Sequence, residues 1–150
     1  MTQFNPNISE LGRPIANERV LMASSSLSAS TAISVTNFDG IGAMFFMNIT
    51  SAFPGSASTT YALKVKMTVP NNTAVQVTLG ACTPRSASGT TVLCIYPGAL
   101  RSSTAPSAST DANLAVLGCP LPRTFDVVAS LSTGATSKEV VMSIGMVTFY

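Results

Sequence analysis

Residues 61–79 read YALKVKMTVPNNTAVQVTL, and this stretch decides the fold class. Tyr61, Leu63, Val65, Met67 and Val69 alternate with Ala62, Lys64, Lys66 and Thr68. Successive side chains then point to opposite faces, which is the pattern of a half-buried strand. Pro70-Asn71-Asn72 breaks the period with turn residues, and Val75, Val77 and Leu79 resume it as the partner of a hairpin. A helix would instead need apolar residues at 3.6 spacing, and no part of the chain sustains that period.

The same alternation recurs on both sides of the hairpin. Upstream, Val20 and Met22 open a first strand, and Leu27, Ala29, Thr31, Ile33 and Val35 alternate with Ser28, Ser30, Ala32, Ser34 and Thr36. Asn37-Phe38-Asp39-Gly40 supplies a turn, Asp-Gly being suited to positive φ. Ile41, Ala43, Phe45, Met47 and Ile49 form one face of the next strand. Its other face, Gly42, Met44, Phe46 and Asn48, is also partly apolar, which predicts a central strand covered on both sides.

Downstream, residues 82–89 form a loop, and residues 90–96, TTVLCIY, form a β-branched strand closed by Pro97-Gly98. Residues 101–113 are rich in Ser and Ala, carry Pro106, and read as a long surface loop. After Pro120 and Pro122, Phe125, Val127, Ala129 and Leu131 face one way. Gly134 marks a turn, and Val140, Met142, Ile144 and Met146 alternate with Val141, Ser143, Gly145 and Val147 in a last strand. About seven to eight antiparallel strands of this kind predict an all-β chain, a single β-sandwich over residues 20–150. Jelly-roll-like and immunoglobulin-like topologies both remain open.

Residues 1–19 lack a sustained period. Pro6, Gly12 and Pro14 interrupt them, and Phe4, Ile8, Leu11 and Ile15 appear singly. This is an extended N-terminal arm, for which the sequence admits a disordered tail, an interfacial helix or a docking segment. As a docking segment, its partner-contact residues are Phe4, Ile8, Leu11 and Ile15.

Only 9% of the 150 residues are charged while 46% are hydrophobic. Globular chains usually carry about 25% charged residues. Ser and Thr, about a quarter of the chain, supply much of the surface cover here. A free monomer is commonly kept soluble by charge, so a surface this neutral suits an assembly, where charge would have to be desolvated. A secreted Ser/Thr-rich β-domain is the alternative. The net charge of +2 is small and scattered, which argues against a nucleic-acid partner. Lys64 and Lys66, the close basic pair, read as a solvated strand face or an edge guard. The apolar run at residues 41–49 is far short of the ~20 residues a membrane helix needs, and no membrane partner is expected.

No catalytic, cofactor-binding or metal-binding residues emerge. The chain has no histidine, the commonest general base and metal ligand. Glu10, Glu18, Asp39, Asp111, Asp126 and Glu139 are spread singly, whereas a glycosidase needs two carboxyls facing one cleft. Cys82, Cys94 and Cys119 lack the spacing of a zinc site and read as reduced thiols, with a Cys82–Cys119 or Cys94–Cys119 bridge left open. The expectation is a protein that is not an enzyme and has no small-molecule substrate.

Three segments carry a resemblance. Residues 87–100, ASGTTVLCIYPGAL, precede a Ser/Ala/Asn-rich gap, then LPRTFDVVASL at 121–131 and VVMSIGMVTFY at 140–150. They resemble a family of small tailed-bacteriophage virion proteins, which carry a TGTTVLRVYPG-like strand, an LPR-T-aromatic corner and a terminal strand like ITYSVGASL. The opening strands, VLMASSSLSASTAISVTNFDGIGAMFFMNIT, look similar to theirs. The chain departs from that pattern at Cys94, where the family tends to have arginine, and at Phe125, where tryptophan is common. The resemblance implies a capsid decoration (cement) protein: a homotrimer made in the host bacterial cytoplasm that binds the major capsid protein on the virion surface. A tail or neck component of the same virion is the alternative it allows. A carbohydrate-binding β-domain is a third reading, disfavoured by the absence of tryptophan.

Overall fold

The computed structural model describes residues 16–37, 40–51, 60–97, 112–131 and 140–150. Among them nine strands are arranged in two sheets. They are β1 (Ala16–Leu27), β2 (Thr31–Thr36), β3 (Gly42–Ser51), β4 (Tyr61–Val69), β5 (Asn72–Ala81), β6 (Gly89–Ile95), β7 (Ala112–Leu117), β8 (Thr124–Leu131) and β9 (Val140–Phe149). One sheet has the order β1-β9-β3-β6-β7 and the other β2-β8-β4-β5. The chain is the all-β sandwich that its period-two pattern predicts.

The alternation sends one side chain in two into the space between the sheets. Ala43, Phe45, Met47 and Ile49 of β3 are buried there, as are Leu93 and Ile95 of β6 and Val140, Met142, Ile144 and Met146 of β9. Leu63 and Val65 of β4, and Phe125, Val127 and Ala129 of β8, meet them from the second sheet. Phe45 and Phe125 join the two layers edge to face, with ring centroids 5.6 Å apart and an interplanar angle of 84°.

Four expectations about elements need correction. The alternation across residues 27–35 is not one strand: β1 ends at Leu27, and β2 begins at Thr31 in the other sheet. The crossing is held by Ser30 Oγ, which accepts the Leu131 N–H at 2.8 Å, and by the Leu27 carbonyl, which accepts from the Tyr61 hydroxyl at 3.4 Å. The first strand also starts earlier than residue 20, because Ala16, Asn17, Glu18 and Arg19 pair with Phe149, Thr148, Val147 and Met146. Antiparallel pairing joins eight of the strands, and the ninth, β7, adds to β6 in parallel. Ala112 and Asn113, read as the end of a surface loop, belong to that strand. Finally, Lys64 and Lys66 do not guard an edge, since β4 lies between β8 and β5.

The two proline-marked segments occupy defined places. Residues 89–95 form β6, beside the central strand β3. The corner before β8 is tied to the turn after β2: the Asn37 N–H donates to the Arg123 carbonyl at 2.7 Å, and the Leu121 N–H to the Ile41 carbonyl at 3.4 Å. The Asn37 side chain closes its own turn by accepting from the Gly40 N–H at 2.9 Å and donating to the Gly40 carbonyl at 2.7 Å. A Cβ at Gly40 would collide with Thr148 Cγ2, so glycine is required by close approach. Phe38 and Asp39 of that turn lie outside the described residues, as do residues 101–111 of the expected long loop and the turn at Gly134.

Candidate functional site

The two outer faces of the sandwich differ in chemistry, and the difference follows from which residues take the outward phase. On the four-stranded sheet the register aligns Ser34, Asp126, Lys66 and Thr78 in one row. Asp126 accepts from the Ser34 hydroxyl at 2.7 Å and from the Gln76 amide at 3.4 Å. Lys64 donates to the Ser130 hydroxyl at 3.2 Å. The lysine pair thus lies on the outward face, where the row next to Asp126 places Lys64 among Ala32, Val128 and Ala81.

On the five-stranded sheet two adjacent outward rows are mostly apolar. Val20, Gly145, Phe46 and Val92 are aligned across β1, β9, β3 and β6, and Glu18, Val147, Met44 and Cys94 form the next row. Beyond them, Phe149 and Tyr96 meet edge to face with centroids 6.3 Å apart. Val20 is 77% exposed and Tyr96 40%, while Met44, Phe46, Val92, Cys94 and Val147 are half-buried. An open groove of about 490 Å³ lies here, lined by Glu18, Arg19, Val20, Phe46, Gly145, Met146 and Val147. The central position expected for β3 is correct, and its second face forms part of this groove's lining. On the row beyond Phe46 the surface turns polar, where the Thr90 hydroxyl donates to Asn48 Oδ1 at 3.3 Å.

Other chemistry-bearing residues have structural work. Arg85 Nη1 donates to the Thr90 carbonyl at 3.0 Å and Nη2 to the Ser88 carbonyl at 3.2 Å, so the guanidinium holds the 82–89 loop closed. No disulfide joins Cys82, Cys94 and Cys119, so neither bridge left open by the sequence is formed, and the Cys82 thiol donates to the Val92 carbonyl at 3.2 Å. Burial pushes the Cys94 and Cys119 thiols up from their ordinary range. Burial likewise raises the Tyr61 phenol. Glu18 and Asp126, the carboxylates among the described residues, lie in different sheets. Among the described residues no group of three His, Cys, Asp or Glu side chains could hold a metal ion, and no helix is long and apolar enough to cross a membrane.

Phe4, Ile8, Leu11 and Ile15, the expected contact residues, lie outside the described residues. The groove escaped sequence reasoning because its members are scattered over three strands, β1, β3 and β9. The available signal was the apolar second face of residues 42–48 together with Val147. No family model, curated protein or solved structure matches the chain.

Proposed function

We propose that the chain is a non-enzymatic virion structural protein, a capsid decoration (cement) protein that binds the major capsid protein on the outer surface of a phage head. The observation that carries the assembly role is the asymmetry of the sandwich. One outer face carries the hydrogen-bonded row of Ser34, Asp126, Lys66 and Thr78, and the other presents Val20, Phe46, Met44, Val147 and Cys94 around a groove flanked by Glu18 and Arg19. An apolar face rimmed by polar groups marks an interaction surface. The resemblance of the 87–100 and 121–131 segments supports the virion as its setting. A rigid β body that repeats one modest contact many times gains binding through multivalency, which suits a protein that stabilises a shell.

Particles reconstituted with labelled protein test this directly. Label distributed over expanded heads is the expected result. Label confined to the tail or neck would overturn the decoration role in favour of a tube or adaptor subunit, and glycan binding by the isolated protein would favour a recognition module. The arm is tested by removing residues 1–15 rather than 1–19, because Ala16 to Arg19 pair with β9. Head occupancy should then fall at least tenfold; unchanged occupancy would show that the segment takes no part.

A further inference from the structure

The outer face of the five-stranded sheet needs an occupant, and its dimensions restrict what that is. Strands about 4.8 Å apart make the four apolar strands roughly 15 Å wide, and three outward rows about 6.7 Å apart give a similar length. The patch is therefore a few hundred Å² per copy, well below the ~800 Å² per partner of a standard interface. Two copies stacked face to face through this patch alone would be weak. A single extended segment fits it better, since about five residues at 3.3 Å span its width.

The chain holds such a segment. Fifteen residues precede Ala16, and they carry Phe4, Ile8, Leu11 and Ile15 with few charges. Fully extended they reach about 50 Å, several times the width of the patch. They join the sandwich at Ala16, whose register partner is Phe149 at the end of this same sheet. From Val20 back to Ala16, β1 runs away from the Phe46 groove toward the Phe149 end of the sheet.

We propose that residues 1–15 of a second copy lie across the outer face of β1, β9, β3 and β6, with their apolar side chains over Phe46, Met44 and Cys94. The contact is head to tail, joining the arm of one copy to the sheet of the next. Such contacts close into rings when the rotation permits. This rests on the reading of the chain as an assembly subunit and names the partner of that face.

Cys94 makes the test direct, because it is a free thiol on the proposed seat. The full-length chain carrying Ile8→Cys and Cys119→Ser is oxidised and analysed on non-reducing gels with peptide mass mapping. The expected product links peptide 1–19 to peptide 86–101 at multiples of the 15.4 kDa chain mass. Phe4→Cys repeats the measurement at a second position. A position-8-to-94 disulfide confined to one chain would overturn the proposal by placing the segment on its own sheet, and the absence of the link from both variants would overturn it outright. In the unsubstituted chain, alkylation of Cys94 should slow about tenfold as concentration drives association, and a constant rate counts against it. Linkage between copies without head binding would leave this inference standing and sink the decoration role.

Discussion

Phe46 lies directly across the β3–β9 pair from Gly145, on the outer face of the sandwich. The phenyl ring therefore has no side chain opposite it on β9, which opens the groove between β1 and β3. A Cβ at Gly145 would approach nothing closer than the Arg19 carbonyl at 3.6 Å, an ordinary contact. Gly145→Lys should therefore fold and place a charge on the groove floor. The expected outcome is a melting temperature within a few degrees of the parent and at least tenfold weaker self-association by analytical ultracentrifugation.

Phe125 is 3% exposed and its ring meets Phe45 across the two sheets. Phe125→Ala removes that link and leaves a cavity between the layers, for which about 3–5 kcal/mol is expected. Urea unfolding should show the loss as a lower midpoint. A change under 1 kcal/mol would mean the layers are held elsewhere.

Thr91 is fully buried on the core side of β6, and its hydroxyl has no hydrogen-bond partner among the described residues. Leaving such a group unsatisfied costs about 1–3 kcal/mol. Thr91→Val keeps the shape and removes the hydroxyl, so it should raise the melting temperature by about 2–4 °C for each kcal/mol recovered. A lower melting temperature would show that the hydroxyl finds a partner in solution.

Gly89 opens β6 at φ = 134°, a conformation L side chains rarely adopt, and a Cβ there would meet the Arg85 guanidinium. Gly89→Ala should cost about 1–3 kcal/mol in thermal or chemical unfolding through backbone strain. Arg85→Ala should make the 82–89 loop susceptible to protease while leaving the sandwich intact, because it removes the bonds to the Ser88 and Thr90 carbonyls.

Stability should fall at alkaline pH. Burial raises Cys94 and Cys119 above the ordinary thiol value of 9.0 and Tyr61 above 10.0. The unfolded chain then releases these protons first as pH rises, so it binds fewer than the native state and the unfolding free energy declines. These contributions are fully present below pH 9 and are lost above it. Melting temperatures measured from pH 7 to 11 should stay level and then drop, with a smaller drop in Tyr61→Phe.

The strands that pack one face inward were legible because burial imposes period two on them. β3 and β9 alternate as their sequences predict, from Ala43 through Ile49 and from Val140 through Met146, while β4 and β8 keep the inward phase but also bury Ala62 and Val128. The junction at residues 28–30 was not legible, since alternation continues through it while the chain changes sheets. What holds that junction is a pair of long-range hydrogen bonds, from the Leu131 amide and the Tyr61 hydroxyl. β7 was missed because six residues after a Ser/Ala-rich stretch carry no turn signal, and parallel pairing to β6 is a property of the fold. The groove was illegible for the same reason: Val20, Phe46 and Gly145 are neighbours only through strand order.

That strand order also constrains when the groove can form. β9 lies between β1 and β3, so Val20 and Phe46 are brought onto one face only after Val140–Phe149 has been made and has inserted. A nascent chain emerging from the ribosome holds β1 without its partner and has no finished groove to offer. Non-local pairing of this kind folds slowly. The strand that completes the hydrophobic layer therefore also times it, and a polypeptide cut short before residue 140 would lack the groove altogether.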